Sequence, residues 1–131
     1  MIRFCLSVPI IALIACDGVE QRPASWSYIH PSIIEPSCAT ASCHSNPSAL
    51  AGLDLSMREN AYAFLVGRTC EAPPHPGDAP GNFVFPYEPE RSRLMYLLRG
   101  DQTRVMPPDI PLPDVEIELI ERWILEGAPC D

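Results

Sequence analysis

Lysine is absent from the 131-residue sequence: all nine basic residues are arginines, set against 17 carboxylates, for a formal net charge of −8 with histidine neutral. A chain this acidic repels a phosphate backbone, which excludes nucleic acid as a partner. Also missing is any sustained two-residue alternation of apolar and polar side chains, the mark of a half-buried strand. No internal repeat is visible. No nucleophile stands in a recognisable pattern with a base and an acid, and the carboxylates Glu116, Glu118, Glu121 and Glu126 read as the solvated face of one helix rather than as paired acids. The chain is therefore not read as an enzyme. No apolar run reaches the roughly 20 residues that a bilayer-spanning helix needs.

The longest apolar run is about a dozen residues, Phe4 to Ala15, interrupted only by Ser7 and Pro9, preceded by Arg3 and followed by the polar Asp17. A basic start, a short apolar stretch and an abrupt polar boundary have the shape of a secretory signal, so residues 1–15 are expected to be removed. The boundary Leu13-Ile14-Ala15-Cys16 resembles a bacterial lipobox, which would make Cys16 the acylated first residue. An ordinary signal peptide, with Cys16 as a small apolar residue, is the plainer alternative. Acylation implies an exported chain at the periplasmic or cell-envelope face, held to a membrane through a lipid anchor alone. Residues 16–26 then form a tether and 27–131 a single domain.

Sixteen prolines exclude long uninterrupted elements. They cluster at residues 73–89 and 107–113, which read as loops, and helices must lie between them. The first is expected over Ser27–Ile34, with Pro31 in its first turn and Pro36 ending it. A second fits Met57–Val66, with Ser56 as N-cap, Glu59 as capping-box partner and Gly67 past the end; Ala61, Phe64 and Leu65 fall on one side. A third, Ser92–Leu98, gathers Leu94, Tyr96, Leu97 and Leu98 and stops at Gly100. The clearest, Asp114–Glu126, sets Ile117, Ile120 and Ile124 at helical spacing beside Trp123 and is capped by Gly127. The expected fold is all-α: a small domain of about four short helices joined by long, proline-rich loops.

Six cysteines in an exported chain read as oxidised, ligated or modified. Cys5 leaves with the signal, Cys16 is the lipid candidate, and Cys38 and Cys43 belong to one local motif. Cys70 and Cys130 remain for a long-range disulfide that closes a loop of about 60 residues and contributes roughly 4 kcal/mol when unstrained. A Cys38–Cys43 disulfide stays open as an alternative.

The segment Cys38-Ala39-Thr40-Ala41-Ser42-Cys43-His44 carries the chemistry. Covalent haem attachment requires two thiols for the two vinyl groups and a histidine beside the second thiol to reach iron. The common spacing has two residues between the cysteines; this chain has four. The order Ile33-Ile34-x-x-x-Cys38, Cys43-His44, Gly52-Leu53-Asp54-Leu55, Ser92-Arg93-Leu94, Met106-Pro107-Pro108 and Ile120-x-x-Trp123-Ile124-x-x-Gly127-Ala128 resembles the planctomycete-type cytochrome c domains of exported bacterial proteins, over residues 27–129. The resemblance implies thioether bonds at Cys38 and Cys43, His44 as proximal iron ligand and Met106 as distal ligand. It thus implies one covalent haem c, and a closed His–Met iron suits electron transfer to a redox partner protein rather than oxygen chemistry. Arg104, two residues before Met106, reads either as a partner for a haem propionate or, no less readily, as a solvated loop arginine. Met57 and Met95 fall in expected helices and read as packing residues; His30 and His75 read as surface residues. Two other readings stay open: a haem-free binding or scaffold module stapled by Cys38–Cys43, and a metal site of Cys38, Cys43 and His44, for which zinc would require a fourth ligand.

Overall fold

The computed structural model describes residues 22–72, 75 and 83–131. The expected signal segment, Cys16 and residues 73–74 and 76–82 of the first proline cluster lie outside the described residues. Within these limits the fold is all-α, with short helices joined by loops and no strand. No helix among the described residues is long and apolar enough to cross a membrane.

The first rod begins one residue earlier than expected and runs further. Helix α1 (Trp26–Ile29) continues through a π-helical turn, His30–Ile34, into α2 (Glu35–Ser37). Pro31 and Pro36 both lack the N–H that an α-helix uses, and each ring crowds the carbonyl four residues back. Widening the turn between them relieves that crowding, and the chain passes through Pro36 instead of stopping there. Trp26, Ile29, His30, Ile33 and Ile34 form the buried stripe, at helical spacing.

His30 is therefore not the surface residue that sequence suggested. It is 3% exposed, its Nε2 lies 3.0 Å from the Leu55 carbonyl, and its ring meets Trp26 at 5.5 Å between centroids. A start at Trp26 places His30 inside the apolar stripe, where a buried imidazole must find a hydrogen-bond partner. His75 is exposed as expected.

Helix α3 (Arg58–Val66) ends at Gly67 in the left-handed conformation, but Ser56 does not cap its start. The Ser56 hydroxyl donates to Asp54 Oδ1 at 2.6 Å, and the Ser56 N–H donates to the same oxygen at 3.0 Å. A helix N-terminus offers only N–H donors, so the hydroxyl proton goes to the carboxylate, and the helix start at Arg58 leaves Ser56 one residue before the N-cap position. Met57 takes the N-cap position and is 57% exposed, so the packing role expected of it is not found; Met95 is buried as expected.

Helix α4 (Arg93–Arg99) follows Ser92, which is buried. The Ser92 hydroxyl oxygen accepts the Phe85 N–H at 2.9 Å and fixes the entering loop. Met95 and Leu98, rather than the whole Leu94–Leu98 cluster, form the buried face. Helix α5 (Asp114–Leu125) buries Ile117, Leu119, Ile120, Trp123 and Ile124.

The core is aromatic at its centre. Trp26 stacks on Trp123 at 5.1 Å, and Tyr62 meets both edge-on. Every polar handle in this trio is used: Trp26 Nε1 donates to Arg58 O, Trp123 Nε1 to Pro129 O and the Tyr62 hydroxyl to Ala128 O. Burial of that hydroxyl pushes Tyr62 up to about 12. The Cys70–Cys130 disulfide ties the C-terminal segment beyond α5 to the segment after α3. Arg22 and Ala24, in the expected tether, already lie against the domain: Arg22 O accepts a hydrogen bond from Arg122, and Ala24 touches the core.

Candidate cofactor cleft between two loops

The loop after α2 is folded back on itself by its own backbone. Cys38 N donates to Ile34 O at 2.8 Å, so Cys38 sits at the end of the first rod. Cys43 N donates to Thr40 O at 3.0 Å and His44 N to Cys38 O at 3.1 Å. The four intervening residues are thus taken up in a closed turn, and His44 returns to the level of Cys38. Beyond it, Leu50 N donates to Cys43 O and Leu55 N to His44 O, which lashes the loop to the segment leading into α3. The Ser45 hydroxyl adds a bond to Thr40 O at 2.9 Å.

His44 is oriented by the same loop. Its Nδ1 lies 3.1 Å from the Leu50 carbonyl. A carbonyl only accepts, so Nδ1 carries the proton and Nε2 keeps its lone pair for a ligand role. A backbone carbonyl in this position fixes which ring nitrogen bears the proton and holds the plane of the ring.

A second loop forms the facing wall. Met106 N donates to Leu97 O at 2.8 Å, so a carbonyl that the last turn of α4 leaves unsatisfied anchors the methionine. Ser37, Cys38, Cys43, His44, Leu50 and Ala51 on one side, with Arg104, Met106, Pro107 and Pro108 on the other, line a single cleft of about 250 Å³. Its exposed lining is almost wholly apolar. It falls below the roughly 300–1,000 Å³ of pockets that enclose a drug-sized molecule.

All four predicted site residues, and Arg104, therefore meet at one place although 62 positions separate His44 from Met106. Leu50, Ala51 and Ser37 also line the cleft and carried no sequence signal of that role. Ala51 holds a left-handed φ of 61°, an uncommon conformation for a residue with a Cβ that recurs where a loop is shaped for function. Glu116 of α5 also acts on the site. Burial, then Cys43, then Glu116 push the Cys38 thiol up to about 11, so at neutral pH it is protonated.

Cys38 and Cys43 are both free thiols and are not joined to each other. Among the described residues no group of three His, Cys, Asp or Glu side chains is gathered to hold a metal ion. The Cys38–Cys43–His44 metal reading thus gains no support. A His–Met pair is not such a group. Compared with family models, curated proteins and solved structures, the chain matches none.

Proposed function

We propose that the chain is an exported, lipid-anchored electron carrier with one covalently attached haem c, and that it breaks no substrate bond. The observation that carries this reading is the convergence of Cys38, Cys43, His44 and Met106 on one apolar cleft. The donor chemistry fits the group: two thiols for thioether attachment, an imidazole with Nε2 available, and a soft thioether sulphur. When bound, haem supplies a one-electron couple at iron.

The chain's own residues do the rest. Leu50 O holds the His44 ring, and Leu97 O holds the backbone of Met106. The apolar walls exclude water, which stabilises the less charged, reduced state. Arg104, exposed at the rim, offers a cation to a carboxylate of the bound group. In this proposal residues 1–15 are the signal, Cys16 is the acylated residue, and the partner is a redox protein at the periplasmic or envelope face.

Production in a host able to mature c-type cytochromes tests the reading. The expected protein is coloured, shows sharp bands on dithionite reduction that survive acid-acetone extraction, and gains the mass of one haem on the 38–43 segment. A colourless protein without that mass overturns the carrier and leaves a haem-free binding or scaffold module. Met106→Ala should leave the haem attached, open a position for carbon monoxide and lower the reduction potential; an unchanged ligand field removes Met106 from the site.

A further inference from the structure

The buried stripe of the first rod holds one imidazole, His30, among Trp26, Ile29, Ile33 and Ile34. An imidazole taken out of water is costly unless its N–H finds an acceptor. The acceptor here is the Leu55 carbonyl, 3.0 Å from Nε2; a carbonyl only accepts, so Nε2 carries the proton. His30 also opens the π-helical turn of the rod, a geometry that recurs at functional sites.

Leu55 carries that contact onward to the cofactor cleft. It is buried, and its N–H donates to His44 O at 2.8 Å. Both backbone polar groups of Leu55 are thereby used, the carbonyl by the core histidine and the N–H by the candidate iron ligand. Other bonds of the loop set its shape: Gly52 N donates to Ala49 O, Leu53 N to Leu50 O and Leu50 N to Cys43 O. Its place on the core depends on where the first rod grips it. One grip is at the end of the rod, where Cys38 N and Ala39 N donate to Ile34 O and Cys38 O receives His44 N. The other is His30, one turn earlier. Among the described residues, its bond to Leu55 is the one side-chain hydrogen bond that reaches residues 44–55 from outside the 38–56 segment.

We infer that His30 is a positioning residue for His44: acting through Leu55, it sets where the His44 backbone stands on the core, and so where the imidazole stands across the cleft from Met106. The consequence for iron rests on the proposed haem site. The line of contacts from His30 through Leu55 to His44 does not, and it is measurable with or without haem.

The test uses the full mature chain from a host that matures c-type cytochromes. His30→Leu removes the donor at similar volume, His30→Gln places an amide N–H near the position of Nε2, and Ile33→Ala loosens the same rod without touching the bond. Amide hydrogen exchange at Leu55 is read against the slowest core amides, and the reduction potential is read in the haem-loaded protein. In His30→Leu, Leu55 exchange should quicken about tenfold and the potential should shift. His30→Gln should bring exchange back to within about twofold and restore the potential. Ile33→Ala should lower the denaturant midpoint and leave both readings in place. Should His30→Leu not fold, His30→Asn, whose amide falls short of Leu55 O, carries the same expectation. The assignment is overturned by unchanged Leu55 exchange or an unchanged potential in the variant without the donor, by equal acceleration in Ile33→Ala, or by a folded His30→Gln protein that behaves like His30→Leu. A protein that takes up no haem fails the carrier reading alone, and Leu55 exchange still decides whether His30 holds the His44 loop.

Discussion

Cys38 and Cys43 are chemically unequal although their sequence roles are the same. Cys38 is half-buried at the end of the first rod, faces Glu116 and is pushed up from 9.0 to about 11. A thiol reacts as its thiolate, so in the haem-free protein Cys38 should resist iodoacetamide at pH 8, and its alkylation rate should climb toward pH 11. Rapid labelling of Cys38 at pH 8, seen by peptide mass mapping, contradicts this environment. The sign for stability follows. The folded chain holds the proton more tightly than the unfolded chain, so the contribution is complete below pH 9 and is lost as pH rises through 11. The loss is up to about 2–3 kcal/mol. The four candidate residues, which line one cleft, stood out in the sequence because their side-chain chemistry is rare and specific. The His44–Leu50 bond was not, because a backbone carbonyl leaves no mark on a sequence.

Helices are most readable where the backbone itself is constrained. Gly67, Gly100 and Gly127 all follow helices with positive φ, and each stop was expected. Ser56 shows the limit: its hydroxyl suits a cap, but Asp54 competes for it at 2.6 Å, and only the folded loop decides between them. Pro36 shows another, since a π turn lets a helix pass a proline that sequence rules treat as its end. Gly127 is needed for space as well as for φ: a Cβ there would lie 2.5 Å from the Tyr87 ring. Gly127→Ala is therefore expected to cost about 2 kcal/mol or more in thermal or chemical unfolding. A neutral result would mean that Tyr87 swings away freely. Trp26→Ala should cost about 3–5 kcal/mol, because it removes the ring stacked on Trp123 and leaves a cavity at the centre of the core.

At the scale of the molecule, the all-α class followed from the missing strand alternation and the proline spacing. The meeting of the 38–51 and 104–108 loops did not, because it depends on how α4 lies against the rest of the core. Stability and site are also separable in space. The disulfide joins Cys70 to Cys130 across 60 positions, and neither cysteine lines the cleft. The loop around Cys38 and His44 is instead held by its own backbone bonds to Ile34, Thr40 and Leu55. Replacing both Cys70 and Cys130 by alanine should therefore lower stability by roughly 2–4 kcal/mol through the loss of a long covalent loop, visible as a lower denaturant midpoint. In the haem-loaded protein the same double variant should keep its reduced bands and reduction potential, since His44 and Met106 retain their anchors. A shifted potential with unchanged global stability would reverse that assignment, making the disulfide part of the cleft's support rather than a staple of the fold alone.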